Sequence, residues 1–528
     1  MSPDAPGLAG SDDDSPQDRS RGVSLLFAGS GPEQHEPSDG DWLLDLRLDQ
    51  LISQVTSGRD SYQLTPLFRS RLRTPEQVRY RQEVCCDFER SEMADAWRTF
   101  GHQLALTRSR LDRADRTRHK WERELWHLEA VLHYVKAVEG LSAAVHPPGL
   151  SSAGLLAVRD YLLAYQESSE FSDLAREGRE AAAELGAIRY SVKVAGNRVS
   201  VGRFLGEPDL SDEVTEAFRR FQQDASEGRE FGLTRPEWLD PVELRILDRV
   251  ARLFPEPFAH LERFCARALQ FRNPVIVELD REAQFYLAYL EFLAPLREAG
   301  LPVCYAEVVD AGAPVGAEST YDLVLARKLV DLGQPIVVND FGFTGPERIL
   351  VVSGPNQGGK TTFAVTVGQV FHLAALGLPV AGAGARIHVC DAVLTHFGRT
   401  EELGDLQGRL EADLAALAQI FSRATDRSVV ILNETFGSAS LQDARSLGRR
   451  TLERLVAIGV RGVYVTFIDE LAEMGPAMVS MVSMVDPEDP AERTFKLQRR
   501  PPDGLAYALA IAHKYGLTHD QLLERLRA

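Results

Sequence analysis

The segment Gly354-Pro-Asn-Gln-Gly-Gly-Lys360-Thr361 constrains the fold of this chain more than any other feature. It has the pattern GxxxxGK[ST], and it lies between a buried-strand pattern at Ile349–Ser353 and a helix-compatible stretch. Gly358 and Gly359 let backbone N–H groups turn toward an anion without a Cβ in the way. The helix that starts near Lys360 directs its positive end at the same place. The sequence therefore predicts a phosphate-binding loop between a strand and a helix.

This loop predicts a site for ATP and Mg²⁺. Lys360 is expected to reach the β- and γ-phosphates, and the Thr361 hydroxyl is expected to bind Mg²⁺. The candidate nucleotide-binding residues of the segment are Gly354, Pro355, Asn356, Gln357, Gly358, Gly359, Lys360, Thr361 and Thr362.

Two further strand patterns end in candidate catalytic residues. Val429–Leu432 runs into Asn433 and Glu434, where two acidic residues would ordinarily hold the Mg²⁺ shell and orient the attacking water. Glu434 suits the second role. Asn433 can still accept a hydrogen bond from a metal-bound water, but it adds no negative charge, so we expect weaker Mg²⁺ binding or slower turnover.

The third strand pattern, Val463–Phe467, contains Thr466 near its end. A polar residue there is a candidate sensor of the γ-phosphate, and plain strand structure is the equal alternative.

The composition and the hydrophobic periodicity of the chain change twice. Residues 1–40 are rich in Pro, Gly, Ser and Asp, and we interpret them as a disordered acidic tail with one apolar docking segment, Val23–Phe27. Residues 41–344 show helical periodicity, interrupted near residues 188–204 by an alternating pattern with a Gly196-Asn197 turn, which predicts a β-hairpin. We expect one helical run, Phe285–Leu293, to be stopped by Pro295.

From residue 345 to 528, short β-branched runs alternate with helical patterns. This alternation predicts an α/β domain with a mostly parallel sheet. Ile336–Val338 is expected to be a strand just before the boundary, in addition to the three strands named above.

Composition limits the functional classes. The net charge of −18 over 528 residues argues against a surface that binds nucleic acid everywhere. A local run of cations is either a solvated helix face or a phosphate-contacting stripe; it comprises Arg108, Arg110, Arg113, Arg116, Arg118, Lys120 and Arg123. Five scattered cysteines without a CxxC spacing, no long apolar run and a polar amino terminus favour a cytoplasmic protein without a disulfide framework or membrane span.

The order and spacing of these motifs resemble the MutS family of DNA mismatch-repair ATPases. GPNQGGKTTF is similar to the family's GPNMGGKST, and the stretch from Asn433-Glu434 through Ser440 to Asp443 is similar to DEIGRGTSTxDG. Four further stretches match family elements: Val338-Asn339-Asp340-Phe341, Leu394-Thr-His-Phe-Gly398, Thr466 to Leu471, and Tyr507 to Gly516. The resemblance is specific over residues 335–528 and weaker over the helical region, which is similar to the family's core and lever helices.

The resemblance implies a homodimeric ATP site, in which each P-loop faces the signature segment of a second chain. Asn339 would lie near the nucleotide base, and the candidate trans contacts are Arg409, Ser440 and Asp443. It also implies coupling to DNA.

The chain departs from the family pattern at several positions. Asn433 replaces an acidic residue, Phe467 replaces a histidine, and Gln407-Gly-Arg-Leu-Glu411 lacks the family's serine. We find no counterpart of the mismatch-reading domain or of a carboxy-terminal nuclease extension, and we therefore expect a shorter MutS-related branch.

Three functional hypotheses follow. The first is a MutS-like ATPase coupled to DNA, acting on mismatched or branched DNA in mismatch repair or related DNA maintenance. The second is an ATP-gated scaffold with little hydrolysis, favoured by Asn433 and Phe467. The third, another P-loop dimer such as a chromosome-maintenance or transporter ATPase, lacks its expected heptad arms or membrane-coupling feature here.

Overall fold

A computed structural model describes residues 23–29, 40–145, 150–195, 198–206, 239–398, 406–486 and 493–502 of the chain. Its α-helices are α1 Trp42–Asp45, α2 Leu48–Thr56, α3 Thr65–Arg69, α4 Pro75–Phe88, α5 Ser91–Arg116, α6 Lys120–Ala144, α7 Ala153–Glu167, α8 Ser169–Gly186, α9 Pro241–Leu253, α10 Pro255–Arg267, α11 Pro274–Glu298, α12 Leu323–Asp331, α13 Lys360–Ala374, α14 Leu406–Arg423 and α15 Leu441–Ile458. Its strands are β1 Tyr190–Ala195, β2 Arg198–Arg203, β3 Val303–Cys304, β4 Glu307–Val309, β5 Val315–Thr320, β6 Asn339–Phe343, β7 Ile349–Ser353, β8 Val380–Ala381, β9 Gly384–His388, β10 Val393–Phe397, β11 Val429–Asn433, β12 Arg461–Val465, β13 Met478–Val485 and β14 Arg493–Arg499. Short 3₁₀ helices lie at Asp60–Tyr62 and Asp469–Glu473.

The described residues form two compact units. The first contains those within 1–94, 149–158 and 281–528, and the second contains those within 95–148 and 159–280. This division does not coincide with the boundary that the sequence predicts between residues 344 and 345. The physical reason is that β4, β5 and β6, which precede that boundary, share a sheet with β9, which follows it.

A six-stranded sheet dominates the first unit, in the order β10-β11-β12-β7-β13-β14. All neighbouring strands in it run parallel except β14, which is antiparallel to β13. The central strand β7 is fully buried, as its run of β-branched and aliphatic residues predicts. The predicted mostly parallel sheet is therefore observed.

Near the boundary that the sequence predicts, the strand predictions were less accurate than for the six-stranded sheet. Ile336–Val338 is not a strand; the chain becomes extended one step later, in β6. β6 pairs with β5, and a sheet partner decides where a short apolar run becomes a strand. The sequence also missed β3, β4 and β5 within the region that it predicts to be helical.

Helix α11 continues through Pro295 to Glu298, so the expectation that Pro295 stops the helix was wrong. This proline lies in the last turn. There its missing N–H removes one helical hydrogen bond, and the Pro295 carbonyl still accepts from the Ala299 N–H at 3.1 Å.

Helix α13 follows the glycine-rich loop and is buried on nearly all sides. Its Gln369 side chain is buried and fully hydrogen-bonded. Its Nε2 donates to the Leu46 carbonyl at 3.0 Å and to Asp322 Oδ1 at 3.1 Å, while its Oε1 accepts from the Leu323 N–H at 3.0 Å. This satisfied amide fixes the chain before α2 and the start of α12 to the helix.

The apolar segment near the amino terminus, Val23–Phe27, packs into the first unit. Leu25 and Leu26 are fully buried, and Glu282 accepts hydrogen bonds from the Ser24 hydroxyl and the Leu25 N–H, both at 2.6 Å. The Arg81 Nε donates to the Leu26 carbonyl at 3.0 Å. This segment is thus anchored at both its backbone and its side chains.

The second unit is helical and carries the predicted hairpin. β1 and β2 pair antiparallel from Tyr190↔Arg203 to Ala195↔Arg198, and the predicted turn residues lie outside the described ones. Most of the basic run lies on α5 and α6. Arg108 pairs with Asp280 at 2.9 Å, Arg110 with Glu129 at 2.8 Å, and Lys120 with Glu262 at 2.6 Å.

The described helices include none that is long and apolar enough to cross a bilayer.

The buried His388 of β9 joins the four-stranded sheet of β4, β9, β5 and β6 to the six-stranded sheet. Arg461 donates to His388 Nδ1 at 3.1 Å, and His388 Nε2 lies 3.1 Å from the Arg427 carbonyl. Because an arginine cannot accept, Nδ1 carries no proton and the ring is neutral. Burial lowers the pKa of His388 to about 4, and the charge of Arg461 adds to this effect.

We predict that His388 makes the protein less stable in acid. The unfolded chain takes up a proton below about pH 6.5, but the folded chain does so only near pH 4, so the contribution is present above the unfolded pKa and falls as the pH drops. His388→Gln is expected to remove about 2 kcal/mol of the loss between pH 7 and pH 5, measured by chemical denaturation. The same pH dependence in the variant and the parent would contradict this.

Candidate functional site

Three parallel strands end at one edge of the large sheet. β12 lies between β7 and β11, with Val465 opposite both Val352 and Asn433. Since the carboxyl ends of parallel strands meet at the same edge, the glycine-rich loop after β7, Thr466 after β12 and Glu434 after β11 lie side by side. Such an edge is where open α/β sheets bind ligands.

The glycine-rich loop is held against β13. Gly354 has a φ of 117°, and a Cβ on it would lie 3.0 Å from the backbone N and O of Ser483. A Cβ on Gly358 would lie 2.3 Å from the Ser483 hydroxyl, which donates to the Gly358 carbonyl at 2.6 Å. Sequence reasoning missed Ser483, because its pairing with the loop depends on β13 lying next to β7.

Lys360 begins α13 and is buried under the loop. Its ammonium donates to the carbonyls of Gly354 at 2.9 Å and Pro355 at 3.0 Å, and to Asn356 Oδ1 at 3.4 Å. Burial lowers the pKa of Lys360, and the negative charge of Glu434 opposes that effect. A cation held among loop oxygens can exchange them for phosphate oxygens without moving its backbone.

Thr361 faces the end of β11. Its hydroxyl donates to Asn433 Oδ1 at 3.2 Å, so the predicted metal-binding pair is in contact. These two oxygens suit Mg²⁺ by type, but both are neutral. Within the described residues no cluster of three or more His, Cys, Asp or Glu side chains could hold a metal ion. The pair therefore fits a cation whose charge is balanced mainly by a bound phosphate.

Glu434 follows Asn433 in a strained turn. Its φ is 53° and that of Phe436 is 68°, both in the left-handed region. The Glu434 N–H donates to the Val465 carbonyl at 3.0 Å, which fixes the backbone, while the side chain is exposed.

Asp413 of α14 supports this turn. It accepts from the Phe436 N–H at 3.1 Å, and its other oxygen lies 2.7 Å from His396 Nε2. Asp413 and His396 line an open cavity of about 490 Å³ together with Glu434. Sequence reasoning did not single out Asp413 or His396.

Thr466 is buried at the end of β12, and its hydroxyl accepts from the Ile468 N–H at 3.0 Å. This bond shapes the turn that leads to the 3₁₀ helix. Phe467, which follows it, is 55% exposed.

The remaining predicted residues lie in other positions. Ser440 is the N-cap of α15, where its hydroxyl donates to Asp443 Oδ2 at 2.7 Å and accepts from the Asp443 N–H at 3.2 Å. Both residues are exposed. Arg409 belongs to α14, and its side chain lies outside the described set. Asn339 binds the backbone of β14 at Phe495 and Leu497.

A known protein family matches the part of the chain that contains this site. Residues 350–518 match the model of MutS domain V, a range that contains the glycine-rich loop, Asn433-Glu434 and Thr466 but not Asn339.

Three relatives match this chain over only part of their own length. The DNA mismatch repair protein MutS of Azorhizobium caulinodans is 29% identical over 247 residues, which cover 45% of this chain and 26% of that protein. The Endonuclease MutS2 of Thermus thermophilus is 30% identical over 194 residues, 36% of this chain and 26% of that protein. The DNA mismatch repair protein MutS of Chlorobium phaeovibrioides is 25% identical over 210 residues, which cover 40% of this chain and 23% of that protein. The chain thus spans about a quarter of the length of the curated relatives it matches.

We predict that Ser483→Ala loosens the glycine-rich loop. Loss of the bond to the Gly358 carbonyl is expected to weaken ATP binding about fivefold in calorimetric titration. Ser480→Ala on the same strand is the matched control, since its buried hydroxyl has no hydrogen-bond partner among the described residues. An equal effect of the two substitutions would contradict a specific role for Ser483.

Proposed function

We propose that this chain, whose residues 350–518 match MutS domain V, binds and hydrolyses ATP and couples the nucleotide to DNA. MutS domain V is a P-loop ATPase-type domain. The observation that carries the proposal is the meeting of Lys360, the Thr361–Asn433 pair and Glu434 at one sheet edge. Mismatch repair, named for two relatives, is the proposed setting.

Phosphate binding begins with groups that are already in position. In the proposed complex, the β- and γ-phosphate oxygens replace the loop carbonyls around the Lys360 ammonium. Backbone N–H groups of the loop and the amino end of α13 add neutral donors, aided by the glycines. The predicted nucleotide-binding set from Gly354 to Thr362 acts here as one cradle.

Mg²⁺ would be held by the Thr361 hydroxyl and, through water, by Asn433, and it would neutralise charge on the phosphates. Because neither residue carries a charge, Mg²⁺ affinity in the absence of nucleotide is expected to be low.

Hydrolysis depends on Glu434. Its backbone is fixed by Val465, and its exposed carboxylate can orient a water molecule toward the γ-phosphorus. Asp413 positions the turn that carries it. In this scheme the buried Thr466 holds the end of β12 close to the phosphate, as the proposed sensor.

A second copy of the chain completes the proposed site. Ser440 and Asp443 are exposed at the amino end of α15, which can approach an anion bound to another chain. Arg409 on α14 is the third proposed trans contact.

The hairpin β1–β2 carries the DNA part of the proposal. Residues 188–205 contain four cations, Arg189, Lys193, Arg198 and Arg203, and no Asp or Glu, in a chain of net charge −18. The register places Lys193 and Arg198 on one face, and both are exposed. Such a face suits phosphate contacts.

A second candidate function, an ATP-gated scaffold with little hydrolysis, is favoured by the neutral Thr361–Asn433 pair. The two candidate functions differ in the rate of ATP hydrolysis and not in ATP binding.

We predict that Lys360→Ala lowers ATP affinity at least 100-fold, and that Glu434→Gln keeps binding but lowers turnover at least tenfold. Equilibrium titration and a phosphate-release assay measure the two effects. Unchanged affinity in Lys360→Ala would refute the site.

An Asn433→Asp arm of the same assay separates the two candidates. Faster ATP hydrolysis in this variant would mean that the missing negative charge at position 433 limits hydrolysis in the parent protein. That result favours the scaffold. If parent turnover is already rapid, the scaffold is excluded.

We predict that Lys193→Ala with Arg198→Ala weakens DNA binding about tenfold and reduces the salt slope by about two phosphate contacts. The matched control is Arg176→Ala with Arg179→Ala on α8, which removes the same charge from residues already paired with carboxylates. Titrations with mismatched, branched and intact duplexes at several salt concentrations measure this. Equal losses in both double variants would leave only a net-charge effect.

A further inference from the structure

The segment Val23–Phe27 is a short apolar motif that stands alone in its part of the sequence. Its Leu25 and Leu26 side chains are fully buried. Between Phe27 and Trp42 the sequence has no Val, Ile, Leu, Met, Phe, Tyr or Trp. The segment therefore has the character of the short motifs that peptide-binding grooves recognise.

Two side chains of α4 bind the backbone of this segment. The Tyr80 hydroxyl donates to the Ser24 carbonyl at 2.5 Å, and Arg81 Nε donates to the Leu26 carbonyl at 3.0 Å. The Arg81 guanidinium also lies over the ring of Phe27, 5.2 Å from its centroid. Helix α4 thus contacts the segment along its whole length.

Two side chains of α11 bind the segment from the other helix. The Tyr286 hydroxyl donates to the Leu25 carbonyl at 2.7 Å. Glu282 accepts from the Leu25 N–H and from the Ser24 hydroxyl, both at 2.6 Å. We call the four contacting residues of the two helices the segment groove: Tyr80, Arg81, Glu282 and Tyr286.

The segment satisfies its backbone without a neighbouring strand. The Ser24 hydroxyl oxygen accepts from the N–H groups of Leu26 and Phe27, both at 3.0 Å. Together with the groove, this turn pairs each N–H from Leu25 to Phe27 and each carbonyl from Ser24 to Leu26 with a side chain. The segment and the groove are therefore complementary in their polar groups as well as in their apolar ones.

The groove is held in shape by contacts that do not involve the segment. Arg81 Nη1 donates to the Leu376 carbonyl at 3.3 Å. The Tyr286 ring stacks on Phe88, with ring centroids 5.2 Å apart. We therefore expect the groove to persist when the segment leaves it.

An empty groove would be costly because it contains two buried charges. Arg81 is 1% exposed and Glu282 is 3% exposed. Departure of the segment removes one hydrogen bond from Arg81 and two from Glu282. Buried charges that lose their partners are strongly destabilising, so the groove favours a bound peptide.

We propose that the segment groove is a peptide-binding site, and that its ligand, Val23–Phe27, is exchangeable for the same segment of a second copy of this chain. An exchanged segment makes the same contacts from another molecule, so no contact of the segment is lost. The ligand chemistry is a serine followed by two leucines, which supply the hydroxyl for Glu282 and the two buried side chains. The inference is independent of the proposed function, and its test uses neither ATP nor DNA.

A peptide titration with the full-length chain tests this proposal. The probe is a fluorescein-labelled peptide of residues 22–29, followed by fluorescence polarisation. In the parent protein the tethered segment competes with the probe, so binding is expected to be weak. Leu25→Asp with Leu26→Asp expels the tethered segment, because its carboxylates cannot be buried, and is expected to tighten probe binding about tenfold.

A milder variant decides the question if the double variant does not unfold cooperatively. Ser24→Ala removes the hydroxyl that bonds to Glu282 from a position that is only partly buried. It is expected to tighten probe binding about threefold relative to the parent, because the tethered segment competes less well.

Two controls establish where the probe binds. Glu282→Gln in the background of either variant is expected to weaken probe binding about tenfold, since the Leu25 N–H loses a charged acceptor. The matched control is Glu291→Gln on the same helix, whose exposed carboxylate pairs with Arg59 and is expected to have no effect. A probe with aspartate in place of both leucines is expected not to bind.

The second copy is tested as a competitor in the same titration. A full-length Glu282→Gln chain, which has a weakened groove and an intact segment, is expected to displace the probe. The same chain with Leu25→Asp and Leu26→Asp is expected not to displace it. Absence of saturable probe binding to the folded variants would overturn the inference, as would equal effects of Glu282→Gln and Glu291→Gln. Failure of the intact segment to displace the probe would refute exchange between copies.

Discussion

Parallel hydrogen bonding around β7 is the constraint on which the rest of the site depends. β7 pairs with β12 on one side and β13 on the other, in a register that brings Ser353 and Val465 to one edge. Beyond Ser353 the chain leaves β7 in a tight loop of six residues before α13 begins at Lys360. The positive φ of Gly354 permits that turn, and the following helix begins directly beneath it. Every candidate catalytic group is then placed by the strand that precedes it.

Buried polar groups give the site its rigidity. Gln369 satisfies its whole amide against the chain before α2 and the start of α12, and Ser483 ties the loop to β13. Such groups are costly to leave unpaired, so they hold their neighbours in one arrangement. Segments far apart in sequence, including the anchored Val23–Phe27, are thereby fixed in the same compact unit as the sheet.

The electrostatics of the site are unusual in a specific way. Lys360 is buried with a lowered pKa, and the residue opposite Thr361 is an amide. The carboxylate of Glu434 acts on Lys360 from an exposed, strained turn. An arrangement of this kind favours holding a phosphate chain over holding a free metal ion, which is why binding and turnover are separate questions for this protein.

Local sequence patterns predicted the loop, the strands β7 and β11, the parallel character of the sheet and the hairpin, because local glycine chemistry and apolar runs encode them. It placed Thr466, Asn433 and Glu434 at strand ends and so at one edge. It could not determine the strands β3 to β6, the groove that holds Val23–Phe27, or the roles of Ser483 and Asp413. Those depend on which strand lies beside which, and on hydrogen bonds between residues more than a hundred positions apart or on different elements. Pairing across such separations is decided by tertiary packing, and no local pattern carries that information.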